Sequence, residues 1–185
     1  MTCTDTALTL RKAAMSDIPA MLELINAYAA KGIMLPRTEF DMAENIRDFT
    51  VAYSGDDLAG CGALHYYTPT SAEVRSLAVA PQLKGAGKGR AIVESLVVEA
   101  NASELEAIFA FTYAPGFFRK LGFSEVERGD LPLKAWKDCM RCPKFHCCDE
   151  IAMLRPLRGE MVRMAQTRSE ALLQIVPTIP RPRVR

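Results

Sequence analysis

The alternation of apolar and polar positions predicts a chain that mixes strands and helices. Leu8 and Leu10 alternate with polar residues as in a strand, and apolar residues recur at helical spacing over residues 18–25. Thr38 is a suitable N-cap for a second helix carrying apolar residues over 40–49. The chain is therefore expected to begin with a strand followed by two helices.

The rest of the chain continues this mixture and contains one run typical of a buried strand. Residues 105–112 (LEAIFAFT) are nearly all apolar and are bounded by polar and turn residues, as in a central strand. The elements predicted after the second helix are a hairpin over 50–67, a strand over 73–80, a helix from about Lys88, this buried strand, a short helix over 117–121, and strands over 123–127 and 151–154. The order predicts an α/β fold.

A glycine-rich segment, QLKGAGKG at residues 82–89, separates the strand that Pro81 ends from a predicted helix. Glycines let the backbone approach a ligand closely, and the N–H groups at a helix start favour anions. Lys84 or Lys88 can add a positive charge. The segment lacks the GxxxxGK[ST] pattern of a P-loop and comes too late in the chain for a first-turn Rossmann fingerprint. It therefore predicts a cradle for a pyrophosphate.

With Gln82, Gly85 and Gly87, this loop resembles the QxxGxG motif of the GNAT superfamily of N-acyltransferases, and FRKLGF at 118–123 is similar to that family's YxxxGF segment. The resemblance covers about residues 8–156. It implies a mixed, mostly antiparallel twisted sheet of about seven strands, with a splayed pair at its centre and about four flanking helices. It also implies acetyl-CoA as co-substrate. The residues that it assigns to the coenzyme are Leu77, Ala78, Val79, Gln82, Lys84, Gly85, Ala86, Gly87, Lys88 and Gly89.

A closer resemblance, to short stand-alone N-acetylglutamate synthases, indicates an amino acid as the acetyl acceptor. It rests on the segments GCGALH at 60–65, EVRSLAV at 73–79, IMLPRTE at 33–39 and FFRKLGF at 117–123. An acceptor with two carboxylates requires cations near the site. Arg37 lies in the loop where that subfamily carries a substrate-binding basic residue, and Arg75 is expected to share one strand face with Glu73 and Leu77. The alternatives are a solvated Arg37 and a structural ion pair for Arg75.

The reaction needs a group that accepts a proton, because a protonated ammonium has no lone pair for attack on the thioester. Glu73 is the first candidate and His65, on the adjacent strand, the second. The family's tyrosine, which donates a proton to the departing thiolate, is replaced by Phe118. Tyr113 is the candidate substitute, although a tyrosine at a strand end more often simply packs or lines the cleft. The resemblance also implies that a backbone N–H near Leu77 to Val79 polarises the thioester carbonyl.

Four of the six cysteines lie between Cys139 and Cys148. Cys139, Cys142 and Cys147 have the spacing of a short zinc-binding loop, although the second half of a paired CxxC site is absent. The observation leaves three interpretations open: a zinc site, a redox or disulfide role, and reduced structural thiols. This insertion can alternatively form a contact in a homodimer.

Composition narrows the class of partner. The 185 residues carry a formal net charge of +1, which suggests neither a nucleic acid nor a membrane surface as partner. No signal peptide or run of about 18 apolar residues is apparent, so the cytoplasm is the expected location. Residues 1–156 are expected to form a GNAT acetyltransferase domain with a cysteine-rich insertion at about 134–150. Residues 157–185 are expected to form a basic extension, a helix followed by a loose tail.

Three functions are compatible with these patterns. The first is transfer of acetyl from acetyl-CoA to the α-amino group of L-glutamate by direct attack in a ternary complex, feeding arginine biosynthesis. The second is acetylation of another small amine or a protein amine. The third is a non-catalytic CoA-binding sensor with a metal-binding cysteine cluster. The resemblance to glutamate synthases favours the first.

Overall fold

A computed structural model describes residues 7–131, 144 and 147–158 of the chain. Within this part, seven strands and four α-helices follow one another in the predicted order. Their bounds are β1 (Leu8–Lys12), α1 (Ile18–Ala29), α2 (Glu39–Glu44), β2 (Phe49–Ser54), β3 (Asp57–Thr68), β4 (Ser71–Val79), α3 (Lys88–Ala102), β5 (Ala107–Thr112), α4 (Pro115–Arg119), β6 (Ser124–Glu125) and β7 (Ile151–Pro156). The α/β class is confirmed.

The second helix is shorter than its apolar pattern predicts. Thr38 caps α2 as expected, with its hydroxyl oxygen accepting a hydrogen bond from the Asp41 N–H, but the helix ends at Glu44. Phe49 is instead the first residue of β2 and is buried, whereas Phe40 is 70% exposed. The prediction of one helix over residues 40–49 was therefore wrong, since Ile46 lies in a short 3₁₀ helix (Ile46–Asp48) and Phe49 in a strand.

The strands of the described residues form a single mixed sheet in the order β1-β2-β3-β4-β5-β7-β6, in which β4 and β5 are parallel and the other neighbours antiparallel. That pairing covers only Ser71–Glu73 and Ala107–Phe109. Beyond it β4 continues to Val79 and β5 to Thr112, so the two strands separate towards their carboxyl ends. This is the splayed central pair that the resemblance predicts.

A bulge in β4 changes which side chains face which side of the sheet. Cys61 and Ala63 of β3 are two residues apart, but their partners Ala78 and Arg75 are three apart. The extra residue lies at Ser76, which has a positive φ of 52°, an uncommon conformation for a residue with a side chain. Leu77 therefore packs with the α3 side of the sheet, opposite to the face of Glu73 and Arg75. The expected common face for all three was wrong, because simple alternation assumes an unbroken strand.

The two faces of the sheet carry separate apolar clusters. One cluster lies under α3 and α4 and includes Leu64, Val74, Leu96, Ile108 and Phe118. A second apolar cluster lies under α1 and α2. A third apolar cluster lies beside the second and surrounds Phe109 and Leu154. Helices therefore cover both faces, and the gap between β4 and β5 is bounded by elements from each side.

An ion pair holds the start of α1 against the edge of the sheet. The Asp17 carboxylate accepts hydrogen bonds from the Arg11 guanidinium at 2.6 and 2.8 Å, from the Tyr53 hydroxyl at 2.8 Å and from the Ala14 N–H at 2.7 Å. Chiefly because of Arg11, the pKa of Asp17 lies well below its ordinary value. These contacts fix the entry of the helix that carries Asn26, which contacts the functional site described below.

No helix in the described residues is long and apolar enough to cross a membrane. The expected domain boundary near residue 156 stays a prediction, since the extension from 159 onwards and most of the 134–150 insertion lie outside the described residues.

The glycines of β3 allow α3 to lie close to the sheet, and we expect Gly60→Ala to destabilise the protein. A Cβ at Gly60 would lie 2.6 Å from the Ala78 carbonyl oxygen and 2.9 Å from Ile92 Cδ1. Because a backbone atom cannot move aside cheaply, the free energy of unfolding should fall by roughly 1–3 kcal/mol, measured by urea denaturation. Gly116→Ala is the control, since no atom lies within 4 Å of its Cβ position. Equal losses in both variants would contradict the close-packing explanation.

Candidate active site

A cleft of about 490 Å³ opens where β4 and β5 separate. Its walls include Glu73 and Arg75 from one face of the sheet and Leu77 from the other, so the cleft passes through the gap between the strands. The predicted acceptor and catalytic residues Arg37, Arg75, Glu73 and Tyr113 all line it. Residues far apart in the sequence are thus brought together as expected.

Arg37 is held at one side of this cleft by α1. The Asn26 side chain accepts a hydrogen bond from the Arg37 N–H at 2.9 Å and donates one to the Arg37 carbonyl at 3.0 Å. The Arg37 guanidinium donates to the Ser76 hydroxyl at 3.4 Å, at the bulge of β4. The loop 32–37 therefore directs a cation to the point where β4 leaves β5.

Glu73 is a buried carboxyl group, with 8% of the residue exposed, at the last position where β4 pairs with β5. The Tyr67 hydroxyl donates a hydrogen bond to Glu73 Oε2 at 3.0 Å. The Tyr67 ring is itself held between His65 and Phe109, with ring centroids at 4.9 and 5.7 Å. Aromatic contacts on both sides thus fix the donor that orients this carboxyl group.

The second candidate base, His65, is not among the residues that line the cleft. It is the cross-strand partner of Glu73, but its Nδ1 lies 2.5 Å from Asp48 Oδ2. The imidazole is therefore held by Asp48 and packs edge-on against the Tyr67 ring, which it supports.

Tyr113 lies just after β5 and is 39% exposed. Lys144 Nζ donates to its hydroxyl at 3.2 Å. Burial raises the pKa of the Tyr113 phenol, Lys144 lowers it, and Asp149 raises it by hydrogen bonding, for a net upward shift. The phenol therefore carries its proton at neutral pH. Phe118 also lines the cleft but packs edge-on against Phe117 and Phe123 and has no proton to donate.

The glycine-rich loop follows the bulged strand and leads into α3. Gly85 and Gly87 have φ values of 84° and 75°, which side chains rarely adopt. Gly87 is the N-cap of α3 and supplies no capping side chain, so among the described residues the N-cap gives the first N–H groups of the helix no side-chain acceptor. This geometry fits an anion, as the sequence predicts.

The loop adjoins the cleft through Gly89. A Cβ there would lie 3.3 Å from Val79 Cγ2 and 3.5 Å from the ring of Phe117, which lines the cleft. A ligand whose phosphates occupied the loop could therefore extend along β4 into the gap. Lys84 lies on the other side, with its Nζ 4.6 Å from the centre of the Tyr28 ring, and the Tyr28 hydroxyl donates to the Val79 carbonyl at 2.6 Å.

Several cleft residues were not singled out from the sequence. Arg128 and Glu150 line the side that β5 and β7 border, together with Lys144. None belongs to a recognisable motif, and each comes from an irregular segment after β6. Asn26 was also missed, because a polar residue on an amphipathic helix is usually solvated.

Of the cysteines predicted to bind zinc, only Cys147 lies within the described residues. Cys139 and Cys142 lie outside the described residues, and Cys147 is an exposed free thiol. Within the described part, no group of three or more His, Cys, Asp or Glu side chains could hold a metal ion. The zinc site stays a prediction without support. Cys61 is unrelated to it: burial raises the pKa of its thiol to about 12, so it acts as a packing residue.

Comparison with known proteins identifies the family. Residues 45–125 match the model of the acetyltransferase (GNAT) domain. An uncharacterized N-acetyltransferase of Chlorobaculum tepidum, CT2212, is 39% identical over 148 residues, which are 80% of this chain and 96% of that protein. The chain belongs to the GNAT acetyltransferase family. It is accordingly an acetyl-CoA-dependent N-acetyltransferase.

A further relative is named as an amino-acid acetyltransferase, and a solved structure from the same organism is similar in fold. An amino-acid acetyltransferase of Mycobacterium tuberculosis is 37% identical over 121 residues, covering 64% of this chain and 69% of that protein. Rv2747 of the same organism, solved in complex with CoA and NLQ, superposes with a TM-score of 0.70 at 30% identity, covering 81% of this chain and 99% of that one.

One solved structure supports the fold alone. N-acetylglutamate synthase of Neisseria gonorrhoeae, solved with coenzyme A and N-acetyl-glutamate, superposes with a TM-score of 0.76 at 24% identity. The match covers 83% of this chain but only 36% of that one. The GNAT-type sheet predicted from the sequence is confirmed.

We expect Gly87→Ala to weaken coenzyme A binding. An alanine would have to adopt the φ of 75° that Gly87 has, which costs a residue with a Cβ about 1–2 kcal/mol. Relief of this strain would shift the first N–H groups of α3. The dissociation constant for coenzyme A, measured by calorimetry, should rise roughly 10-fold. Gly55→Ala is the matched control, because Gly55 has a φ of 63° in the turn between β2 and β3, away from the loop. Weaker binding in both variants would point to a global effect instead.

Proposed function

We propose that this GNAT enzyme transfers the acetyl group of acetyl-CoA to the α-amino group of an amino acid, with L-glutamate as the preferred acceptor, and serves arginine biosynthesis. The observation that carries the proposal is the concentration of cationic side chains around one cleft, where Arg37, Arg75, Arg128 and Lys144 accompany the buried Glu73. Guanidinium groups bind carboxylates in a forked geometry, and a dicarboxylic amino acid presents two of them.

The names of relatives add support. A 37%-identical protein is called an amino-acid acetyltransferase, and the structural neighbour at 24% identity is an N-acetylglutamate synthase. Those names describe these proteins, and the choice of glutamate for this chain rests on the charges of its cleft. A non-catalytic sensor is disfavoured by membership of an acetyltransferase family.

For the donor, we assign the pyrophosphate of acetyl-CoA to the N–H groups of residues 82–89 and its acyl end to the gap beside the bulge. The coenzyme supplies the activated acetyl thioester. Leu77 to Val79 follow the bulge, where β4 no longer pairs with β5, so their backbone is suited to contact the acyl arm. Main-chain donors in a fixed strand need little reorganisation as charge develops on the thioester oxygen.

For the acceptor, Arg37 and Arg75 bind carboxylate near β4, and Glu73 accepts the proton of the ammonium group, directly or through water. The freed amine attacks the thioester carbon, the carbon–sulfur bond breaks, and Tyr113 gives its proton to the departing thiolate. The second proton of the attacking nitrogen leaves as the amide forms and, through water, restores the Tyr113 phenol. Tyr67 keeps Glu73 oriented by its hydrogen bond of 3.0 Å. Direct attack from a ternary complex suits this cleft, because donor and acceptor enter one gap from opposite faces.

The first test measures thiol release from acetyl-CoA with a panel of amino acids and simple amines. We expect the highest kcat/KM for L-glutamate and lower values for L-glutamine, L-alanine and amines without a carboxylate. Protein amines are tested with a lysine-containing peptide. Binding of coenzyme A without turnover of any amino acid would overturn the proposal, and a clear preference for an uncharged acceptor would overturn glutamate as the substrate.

The second test addresses the base. Glu73→Gln removes the proton acceptor while keeping its shape, so kcat should fall roughly 10²- to 10⁴-fold with little change in the KM for acetyl-CoA. Glu94→Gln is the control, since Glu94 is paired with Arg90 on the exposed face of α3. A fall of less than 3-fold in the Glu73 variant would show that another group accepts the proton.

The third test addresses the acid through pH dependence. The raised pKa of Tyr113 means that its proton is present through the neutral range and is lost only as the pH rises above the phenol's ordinary value. In the wild type kcat should therefore decline at high pH. Tyr113→Phe should lower kcat at neutral pH by roughly 10-fold or more and abolish that decline. Tyr66→Phe is the control, with a similar exposure of 42% but a hydroxyl paired with Ser103.

A further inference from the structure

Arg128 is the first residue of a short 3₁₀ helix (Arg128–Asp130) that follows β6, and it lines the active-site cleft. Its Nη2 donates hydrogen bonds to two main-chain carbonyl groups, those of Cys148 at 3.1 Å and of Glu150. Its guanidinium lies over the ring of Phe111, 6.0 Å from the centroid. The side chain is thus fixed on three sides, which limits the entropy lost when it binds a ligand.

The hydrogen bonds of Arg128 leave part of its guanidinium available, although its charge also acts on the nearby Glu150 carboxyl group, lowering the pKa that burial raises. Both of its hydrogen-bond acceptors are neutral carbonyl oxygens, and in the described part of the chain Nε and Nη1 donate to no atom. The Glu150 carboxyl group receives the Cys148 thiol at 3.8 Å rather than the guanidinium. A guanidinium held by one nitrogen in this way retains two further donor positions for a carboxylate.

The position of Arg128 differs from that of the other two arginines. Arg75 belongs to β4 and Arg37 reaches the bulge of β4, whereas Arg128 lies over Phe111 of β5. The acceptor amine must attack near the bulge, and the α-carboxylate is bonded to the same carbon as that amine. The α-carboxylate therefore lies near β4, while the acceptor side chain can extend across the gap towards β5.

We propose that Arg128 binds the side-chain carboxylate of the acceptor and sets the preference for a dicarboxylic amino acid. This assignment rests on the proposed function, because it names which end of the acceptor each arginine holds. Phe111 supplies the apolar floor under the guanidinium, and the two carbonyl groups direct its remaining N–H groups into the cleft.

The test compares L-glutamate with L-glutamine as acceptors for the wild type and for Arg128→Gln at a saturating acetyl-CoA concentration. Loss of one charge-assisted contact should lower kcat/KM for glutamate roughly 10- to 100-fold and leave that for glutamine within about 3-fold. The KM for glutamate should rise while the KM for acetyl-CoA stays unchanged. Arg155→Gln is the matched control: Arg155 also donates to a main-chain carbonyl, that of Leu121, but does not line the cleft, so its kinetics should match the wild type.

The outcomes separate this inference from the proposed function. No turnover of glutamate by the wild type would overturn the proposed function itself. Normal turnover by the wild type, with both acceptors impaired equally in Arg128→Gln, would assign Arg128 to bracing residues 148–150 and overturn the inference. If Arg128→Gln does not fold, judged by circular dichroism, Arg128→Lys decides, since a single ammonium cannot form the forked contact. It should then raise the KM for glutamate several-fold, and an unchanged KM would overturn the inference.

Discussion

The short parallel pairing between β4 and β5 is the constraint on which the site depends. Only Ser71–Glu73 and Ala107–Phe109 pair, and the strands then separate. A sheet that paired along its full length would have no gap, and Glu73 would face a closed surface. The bulge at Ser76 acts at the same place, because it turns Leu77 to the α3 side while Arg75 keeps facing the other. The end of the pairing between β4 and β5 and the change of side-chain alternation at the bulge together create a cleft that is open to both faces of the sheet.

The two sides of this cleft use different chemistry. On the α3 side, the ligand contacts that we propose come from the main chain, in a loop where Gly85 and Gly87 have positive φ values. On the α1 side, the proposed contacts come from charged side chains fixed by their neighbours, as Asn26 fixes Arg37 and Tyr67 fixes Glu73. Main-chain donors suit a donor molecule that is the same throughout a family. Side chains can be exchanged one at a time and so suit an acceptor that varies.

This difference explains what the sequence could predict. The glycine pattern at 82–89 encodes a backbone conformation directly, so the coenzyme loop and the fold around it were predictable. Arg37, Arg75, Glu73 and Tyr113 were predictable as cleft residues through the strands and loops that carry them. Arg128 was not predictable as a cleft residue, because it lies in a short 3₁₀ helix outside any motif. The orientation of its side chain depends on contacts with Phe111 and with two carbonyl groups some 20 residues away. The bulge was also missed, since no residue type marks Ser76.

The replacement of the family's tyrosine by Phe118 has a consequence for how the cleft is organised. Phe118 packs inside the cluster under α3 and α4, where a hydroxyl group would need a partner. Tyr113 instead stands at the end of β5, in contact with Lys144 and with Asp149 next to the Arg128-bound carbonyl groups. In the proposed mechanism the proton donor and the residue that binds the acceptor side chain are therefore both held by Lys144 and residues 148–150. Acceptor binding and protonation of the departing thiolate therefore depend on contacts with the same few residues, so a change that displaces them should disturb both.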